Sequence, residues 1–571
     1  MEYFIFFASI LFFIVTFLLP IGNKLLTFLL GDLFSVYYVV VVLGNLFSFL
    51  YLWQLKEYRF DRLKDYFKTY QGKRDLLNIH LLLKILVWLF LFIDGNVFII
   101  FAKARYIHWV LWGGVFYSEM FYILGRVFRH QFRRPKFTLK ALLITLESVS
   151  LQVCFLLFRF KVAQINRYAD GVLQVFLEAD ILIAVWVAIS VASLALPSLF
   201  FKREIIRKAI KKIKTYPDLK VIGITGSFGK TSTKEFLASI LNSRFKILAT
   251  HVHHNTAIGI ARQILLELDG NDQFYIVEMG AYKKGEIKTI CDVVKPEIGV
   301  ITGLGTQHLS LFGKLENLVE AKFELIDSLP GNGLVILNAD DKLCLKFSQL
   351  TRLKKILYST KNYQTDLYAS KIKVFKDKLN FQVTKGEEKQ TFQARLLGKQ
   401  NISNLLAATA IASNLGLTLK EISQEIDKIK SLPGTMNSVE GPNHSTLIND
   451  TYNSNPEGVL AALNYLKLFL GQRFLIFQPM IELGKATWIE HKRVFRKATK
   501  ICDQIFLTNR NYFREILAGI NQEERKKISL VGSPRYLRQK IFSLLKKDDV
   551  VLFEGREANK YLKVFQKAEG N

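Results

Sequence analysis

Long apolar runs dominate the first part of the chain, and shorter elements of mixed polarity follow. A membrane-spanning helix needs about 20 apolar residues. Six segments have that length, namely residues 3–20, 33–54, 79–102, 106–125, 139–160 and 171–200. The first is not predicted to be a cleavable signal peptide, because no Lys or Arg precedes it and no clear small-residue cleavage site follows it. The pattern predicts an α-helical transmembrane bundle over residues 1–204 and a basic linker over 205–218.

Basic residues are concentrated in alternate connections between these runs. The connections 55–78 and 126–138 and the exit segment 201–214 hold seven, five and seven Lys and Arg residues, whereas the other connections hold one or two. Cytoplasmic loops carry the excess of positive charge in membrane proteins. Six spans with both ends in the cytoplasm satisfy this rule at every loop. We therefore expect a multi-pass protein of the cytoplasmic (inner) membrane, whose remaining domains lie in the cytoplasm.

Acidic residues interrupt the apolar segments, and charge inside a membrane is costly and often functional. One interpretation is a path or groove for a lipid-linked substrate, or proton coupling. The other is that these residues join helices to one another or lie near an interface. Both interpretations concern the same side chains, which are Asp94, Glu119, Glu147, Glu178 and Asp180.

The bulk composition excludes two other classes of protein. At 571 residues the chain is long enough for three or four domains. The net charge of +29 is compatible with nucleic-acid binding, but much of the basic excess flanks apolar runs, so no nucleic-acid partner is predicted. The four cysteines show no CxxC pairing, which argues against a disulfide framework or a zinc site.

A glycine-containing loop follows the linker, between a predicted strand and a predicted helix. The apolar run from Leu219 to Thr225 predicts a buried strand, and the residues from Lys230 onward predict an amphipathic helix. Glycines let backbone N–H groups approach phosphate oxygens, and the helix N-terminus and a lysine add positive potential. The hydroxyl of Thr231 is placed to reach Mg²⁺. The predicted nucleotide contacts are Thr225, Gly226, Ser227, Phe228, Gly229, Lys230, Thr231 and Ser232.

The loop TGSFGKTSTKE resembles the phosphate loop of the Mur ligase family and is similar to that of its D-alanyl-D-alanine-adding (MurF-type) members. Further motifs follow in the family's order over about residues 219–560. The resemblance implies a P-loop α/β central domain over residues 219–432 and a Rossmann-like C-terminal domain over 433–571. The family's usual N-terminal UDP-substrate domain is replaced by the predicted spans.

By resemblance, several residues of the central domain hold metal and nucleotide. Glu278 is expected at the end of one strand and His308 at the end of another, where ligand groups of open α/β sheets lie. The resemblance implies Mg²⁺ ligation by Thr231, Glu278 and His308, and a carbamylated Lys322 on a second Mg²⁺. It also places Asn401 and Asn404 near adenine. The segment HVHHNTAIG resembles the family's Asn-rich loop, and its histidines are expected to make loop contacts rather than bind a metal.

The C-terminal domain carries both matches and departures. DTYNSNP places Asp450, Tyr452 and Asn455 on a turn between a strand and a helix. Thr435 stands where the family usually has Arg, Gln478-Pro479 replaces Gly-Asp, and FEGREANK replaces a Lys-Gly-Ser-Arg stretch. The resemblance implies catalytic roles for Lys230, His308, Lys322, Asp450 and Tyr452.

The implied activity is an ATP- and Mg²⁺-dependent ligase that forms an amide through an acyl phosphate in peptidoglycan synthesis. Its expected partners are the membrane, a muramoyl-peptide-like carboxylate, which is UDP- or lipid-linked, and an amino acid or dipeptide. Two alternatives stay open: a poly-γ-glutamate-type amide ligase, and a degenerate scaffold that binds nucleotide without turnover. Retention of Lys230, Glu278, His308 and Lys322 opposes the scaffold.

Overall fold

The computed structural model describes residues 26–97, 105–129, 132–163 and 170–566. The chain forms two compact units, Met1–Phe201 and Lys202–Asn571. The predicted span 3–20 and the side chain of Asp94 lie outside what is described.

The described residues of the first unit form helices joined by short segments without regular structure. The predicted basic connection 55–78 contains two short helices, and the other helices coincide largely with the apolar runs. In chain order the helices are α1 (Leu26–Leu55), α2 (Phe60–Phe67), α3 (Tyr70–Leu76), α4 (Ile79–Val97), α5 (Arg105–Phe128), α6 (Leu139–Ala163), α7 (Asp170–Ile181), α8 (Ile183–Ser193) and α9 (Ala195–Ile213).

Four described segments are long and apolar enough to cross a membrane, judged by length and composition; they are Tyr38–Leu55, Tyr70–Phe92, Leu139–Arg159 and Ile183–Ile213. Each overlaps one of the predicted spans. The predicted span 106–125 forms helix α5 but is not among the four. Helix α9 shows that much of the predicted basic linker is helical, and its Ala209 and Ile213 are buried in a core that also contains Ile264.

The second unit begins with a nine-stranded sheet, in the strand order β2-β3-β1-β4-β5-β6-β7-β8-β9. The first seven strands of this order pair in parallel, and β7, β8 and β9 pair antiparallel. The strands are β1 (Lys220–Thr225), β2 (Ile247–Ala249), β3 (Phe274–Glu278), β4 (Ile298–Ile301), β5 (Leu334–Asn338), β6 (Lys354–Ser359), β7 (Leu367–Val374), β8 (Leu379–Lys385) and β9 (Glu388–Ala394).

Helices cover this sheet, and its inner strands are buried along their length. Continuous apolar sequence is typical of parallel strands that are covered on both faces. The helices are α10 (Lys230–Leu241), α11 (Ala257–Glu267), α12 (Glu286–Val294), α13 (Leu309–Phe312), α14 (Leu315–Asp327), α15 (Lys342–Ser348), α16 (Gln400–Asn414) and α17 (Leu419–Lys428).

A second sheet follows, in the order β10-β11-β15-β12-β13-β14, and only β10 runs antiparallel to its neighbour. The segment 429–436 between the two domains has no helix or strand. The elements are β10 (Asn437–Glu440), β11 (Thr446–Asp450), α18 (Pro456–Leu466), β12 (Arg473–Phe477), α19 (Thr487–Ile501), β13 (Gln504–Leu507), α20 (Phe513–Ala518), α21 (Gln522–Arg525), β14 (Ile528–Leu530), α22 (Pro534–Ile541), β15 (Val550–Glu554) and α23 (Asn559–Gln566).

Candidate active site

The predicted phosphate loop joins β1 to α10, as the apolar pattern indicated. Gly229 has a φ of 79°, and a Cβ atom there would lie 2.5 Å from the side-chain oxygen of Asn404. Only glycine meets both conditions without strain. The loop therefore leads into the N-terminus of α10, whose first N–H groups have no partner within the helix and attract anions.

The loop is supported from beneath by β4 and the residues that follow it. The Ser227 N–H donates to the Gly303 carbonyl at 2.7 Å, and the Ser227 hydroxyl accepts from the Gly305 N–H at 3.0 Å. Thr225 is fully buried and its hydroxyl donates to the Met279 carbonyl. The Thr225 side chain and the Ser227 N–H thus hold the loop, while the cavity is lined by residues from Ser227 to Ser232.

Lys230 folds back over the loop that precedes it. Its ammonium donates to the Gly226 carbonyl at 2.7 Å and contacts the Ser227 carbonyl at 3.4 Å. Burial lowers the pKa of Lys230, and the Glu278 carboxylate opposes that change. A desolvated cation above a loop of N–H groups is suited to hold phosphate oxygens.

Thr231 and Glu278 meet at the C-terminal end of β3. The Thr231 hydroxyl donates to Glu278 Oε2 at 2.9 Å, and Asn255 Nδ2 donates to Glu278 Oε1 at 2.9 Å. Glu278 is buried. A buried carboxylate beside a hydroxyl fits Mg²⁺, which takes few protein oxygens and keeps waters or phosphate oxygens as its other ligands. Among the residues that the structure describes, no three His, Cys, Asp or Glu side chains are grouped to hold a metal by themselves.

His308 is not at the end of a strand, which corrects the prediction. Strand β4 ends at Ile301, and His308 is the N-cap of the short helix α13, with a φ of 64°. Its Nδ1 lies 2.5 Å from Glu482 Oε2, and its ring meets the edge of Tyr282. Burial lowers the pKa of His308 although Glu482 acts in the opposite direction. A neutral imidazole that donates through Nδ1 keeps a lone pair on Nε2 for a metal.

Lys322 lies on α14 and is only 4% exposed. Burial lowers its pKa to about 7, with Lys230 acting in the same direction and the carboxylates of Glu286, Glu324 and Glu278 opposing. An amine with this pKa is about half neutral at pH 7 and largely neutral above it, and the neutral form is the one that reacts with CO₂ to give a carbamate. The residue therefore fits the carbamylation that the resemblance implies.

One end of the cavity is built from α16 and the segment before β10, and Asn404 of α16 lies beside Gly229 of the phosphate loop. Asn401 and Asn404 both line it and are linked by a 3.2 Å hydrogen bond, and Asn401 also donates to the Leu397 carbonyl. Thr435 and Met436 complete this end. The two asparagines are thus brought to the same cavity as the phosphate loop, 170 residues earlier in the chain.

The turn between β11 and α18 forms the C-terminal domain's side of the cavity. Asp450 is the last residue of β11, and Asn455 caps α18 by accepting the Gly458 N–H at 2.9 Å. Tyr452 stacks on His253 with ring centroids 5.2 Å apart. The predicted strand-to-helix turn is confirmed, and it brings Asp450, Tyr452 and Asn455 to the phosphate loop.

Four side chains at this site were not among the predicted site residues. Asn255 orients Glu278, Glu482 orients His308, and His253 stacks on Tyr452. Glu554 is buried beside Asp450, its register partner on β15; burial raises the pKa of Asp450 to about 7 and raises that of Glu554 as well. The sequence IELG, at residues 481–484, contained a signal for Glu482. The contacts of Asn255, His253 and Glu554 depend on distant segments of the chain.

The histidine-rich segment makes contacts within the protein, as expected. His251 Nε2 lies 2.8 Å from Glu267 Oε1, and the Tyr452 hydroxyl lies 3.4 Å from His253 Nδ1.

Known proteins are similar to this chain over most of its second unit. A family model described as the Mur ligase middle domain matches residues 224–412, and one described as the Mur ligase glutamate ligase domain matches residues 436–556. The UDP-N-acetylmuramoyl-tripeptide–D-alanyl-D-alanine ligase of Buchnera aphidicola subsp. Acyrthosiphon pisum is 30% identical over 353 residues, which cover 61% of this chain and 76% of that enzyme. The chain belongs to the Mur ligase family. It is accordingly an ATP-dependent, amide-bond-forming ligase of peptidoglycan synthesis.

Other known proteins are similar to this chain in sequence or in structure. The Escherichia coli enzyme of the same name is 29% identical, over 57% of this Mur ligase and 74% of its own length. The crystal structure of MurF from Acinetobacter baumannii superposes with a TM-score of 0.58 at 26% identity, over 64% of this chain and 79% of that one. MurF from Thermotoga maritima in complex with ADP shares the fold, with a TM-score of 0.57 over 64% and 83% of the two chains. The residues that the family models match all lie in the second unit.

Proposed function

We propose that this Mur ligase is anchored in the cytoplasmic membrane by its helical unit and joins a muramoyl-peptide carboxylate to a dipeptide or amino acid. The single observation that carries the ligase chemistry is the convergence of Lys230, Thr231 and Glu278 at the start of α10, with His308 and Lys322 nearby. The relatives named for adding D-alanyl-D-alanine to a UDP-muramoyl tripeptide support that pair of substrates.

The residues divide between phosphate, metal and nucleotide. Lys230 and the first N–H groups of α10 would hold the γ-phosphate, and Asn401, Asn404 and Asn455 would border the rest of the nucleotide. Thr231, Glu278 and His308 would hold Mg²⁺, and carbamylated Lys322 would hold a second Mg²⁺. Bound Mg²⁺ supplies positive charge that neutralises the phosphate oxygens during transfer.

The reaction proceeds in two displacements. The substrate carboxylate oxygen attacks the γ-phosphorus, and the bond to the β,γ-bridging oxygen breaks to release ADP. The amine then attacks the acyl phosphate carbon, the bond from that carbon to the phosphate oxygen breaks, and inorganic phosphate leaves with a proton from the nitrogen. Asp450 and Tyr452 lie on the turn that lines the cavity and would help to exclude water.

Membrane attachment is supported by two independent features of the helical unit. Four described segments have the length and composition of membrane spans. The basic residues of the connections 55–78 and 126–138 alternate with connections that are poor in charge, as cytoplasmic and external loops do. A muramoyl peptide that is lipid-linked would reach a site held at the membrane surface, and a UDP-linked one would reach it from solution.

The test is ADP release by the full-length protein in detergent with Mg²⁺, D-alanyl-D-alanine and either a UDP-linked or a lipid-linked muramoyl tripeptide. We expect release to require both the carboxylate and the amine, and to be lost in Lys230→Ala. Lys246→Ala is the control, because Lys246 is exposed and pairs with Asp269. Nucleotide binding without release for every acceptor would reject the ligase in favour of a nucleotide-binding scaffold.

A further inference from the structure

A buried ionic cluster lies in the core of the helical unit and includes none of the residues assigned to the ligase reaction. Lys84 on α4, Glu119 on α5 and Asp180 on α7 are each 3% exposed or less. The Lys84 ammonium contacts a carboxylate oxygen of both acids. Asn45 on α1 donates from Nδ2 to Glu119 at 3.2 Å and to Asp180 at 3.4 Å. Four helices therefore meet at one polar centre.

The charges of this cluster do not balance. Two carboxylates face one ammonium. Lys84 Nζ and Asn45 Nδ2 each contact both carboxylates, so the carboxylates lie close together. Two like charges close together in a buried site oppose each other's ionisation, which favours the retention of one proton. Leaving one negative charge uncompensated there would cost several kcal/mol.

Among the described residues, no other basic side chain lies within ion-pair distance of Glu119 or Asp180. Neighbouring groups include the Phe116 ring, 5.2 Å from the Lys84 ammonium, the Tyr38 phenol and, one helical turn before Lys84, His80. Glu119 Oε2 touches the ammonium but receives no hydrogen bond of normal geometry.

Glu178, on the same helix as Asp180, is a carboxylate whose charge is balanced by a single cation. Its carboxylate accepts from Arg159 Nε at 3.0 Å and from a second Arg159 nitrogen at 3.1 Å. Trp88 and Gln174 donate to it as well. One carboxylate thus meets one guanidinium, and no proton is needed for neutrality.

We propose that Glu119 and Asp180 form a proton-binding site, in which the two carboxyls share one proton and Lys84 neutralises the other carboxylate. Binding or release of that proton changes the charge at the junction of α1, α4, α5 and α7 by one unit. Well-packed apolar residues often stabilise a core as well as a buried ion pair does, so anchoring alone does not require these charges. The helical unit is therefore proton-responsive, independently of the ligase reaction.

Infrared spectroscopy of the full-length protein in detergent tests the proposal directly. A neutral carboxylic acid has a carbonyl stretching band that a carboxylate lacks. We expect such a band at neutral pH that is lost in the double variant Glu119→Gln, Asp180→Asn and retained in Glu178→Gln. Its loss from the wild type as the pH is raised would show release of the proton. A wild-type spectrum at neutral pH without a band that depends on Glu119 and Asp180 would overturn the proposal.

Carbodiimide labelling provides a second readout, because dicyclohexylcarbodiimide adds to protonated carboxyls in apolar surroundings. We expect modification of Glu119 or Asp180, located by peptide mass spectrometry, to exceed that of Glu178 at least tenfold and to decline with rising pH. Protection by Na⁺ at constant pH, with the infrared band absent, would mean that the site holds a metal cation and would also overturn the proposal. Neither measurement uses ADP release, so failure of this proposal can be distinguished from failure of the proposed ligase activity.

Discussion

At the scale of single residues, Gly229 combines a left-handed backbone conformation with a position in the proposed nucleotide site. Replacing it with alanine places a methyl group 2.5 Å from Asn404 Oδ1 at a φ of 79°. The left-handed conformation alone costs about 1–2 kcal/mol for a residue with a Cβ. We expect Gly229→Ala to weaken ATP binding at least tenfold, measured with a fluorescent ATP analogue at equilibrium.

Gly285 is the matched control, because it also has a positive φ, of 86°, but a Cβ there would meet nothing within 4 Å. Gly285→Ala should lower stability by a similar strain energy and leave ATP affinity within about twofold. Equal loss of affinity in both variants would show that strain, and not the contact with Asn404, governs binding.

Lys322 makes a second prediction at this scale, through its pKa of about 7. In the unfolded chain a lysine keeps its proton up to about pH 10.4. Between these values the unfolded state binds a proton that the folded state does not, so stability due to this residue rises with pH. Below pH 7 both states are protonated and the cost of burying the charge is fully present.

The substitution Lys322→Met removes the cost of burying the lysine charge and the pH dependence of stability that Lys322 causes. At about 1.4 kcal/mol for each pKa unit, the variant should be more stable than the wild type below pH 7 by a few kcal/mol, and the difference should shrink as the pH rises. Urea denaturation of both proteins without Mg²⁺ or bicarbonate measures it. A difference that does not change with pH would mean that Lys322 titrates normally.

At the scale of elements, the ion pairs that link the helices of the first unit differ in how deeply they are buried. Lys84 is the cation for two buried carboxylates, whereas Arg159 has a side chain that is 32% exposed. Removing one partner of a buried ion pair costs about 3–5 kcal/mol, and solvent reduces the cost at exposed sites. We expect Lys84→Met to destabilise the helical unit strongly and Arg159→Met to destabilise it by much less.

Intrinsic fluorescence during denaturant titration measures this difference. Five of the six tryptophans, Trp53, Trp88, Trp109, Trp112 and Trp186, lie in the helical unit, so the signal reports mainly on that unit. Equal shifts of the unfolding midpoint in the two variants would contradict the assignment of Lys84 as the buried cation.

At the scale of the whole molecule, the middle and C-terminal domains of the ligase are joined around His308. Glu482 accepts from His308 through its carboxylate and from the Ser310 N–H through its carbonyl at 3.1 Å, and Thr306 donates to Glu490 at 3.1 Å. A residue of the C-terminal domain therefore orients a metal-ligand candidate of the middle domain. Glu482 can orient His308 only when the two domains are together, so we expect catalysis to require that arrangement.

Glu482→Gln should separate this role from nucleotide binding. Loss of a partner that orients a metal ligand costs about 10–100-fold in metal affinity or activity. We expect ADP release to fall within that range and to recover partly at high Mg²⁺ concentration, with the affinity for ATP analogue without metal unchanged. Glu523→Gln, at an exposed pair with Lys526, is the control. An unchanged Mg²⁺ requirement would show that Glu482 only joins the domains.

The elements of the site were largely predictable, because their signals are local. The strand before the phosphate loop, the helix from Lys230, Glu278 at the end of β3 and the turn from Asp450 to Pro456 all depend on runs of apolar residues, glycine and a helix-starting proline within a few positions. His308 was misplaced because the seven residues after β4 carry no periodic pattern, and a short helix begins only where the C-terminal domain provides contacts.

What the sequence determined by itself was therefore the identity and order of the elements, the phosphate loop and the apolar segments of the first unit, since these follow from local backbone preference and the burial of apolar side chains. The tertiary structure decided which charges meet. Glu482 lies 174 residues from His308, Glu554 is brought to Asp450 by the pairing of β11 with β15, and Lys84 finds Asp180 across 96 residues. Such partners are set by packing between distant segments, and packing determines burial, and with it the pKa of each group and the protons it holds.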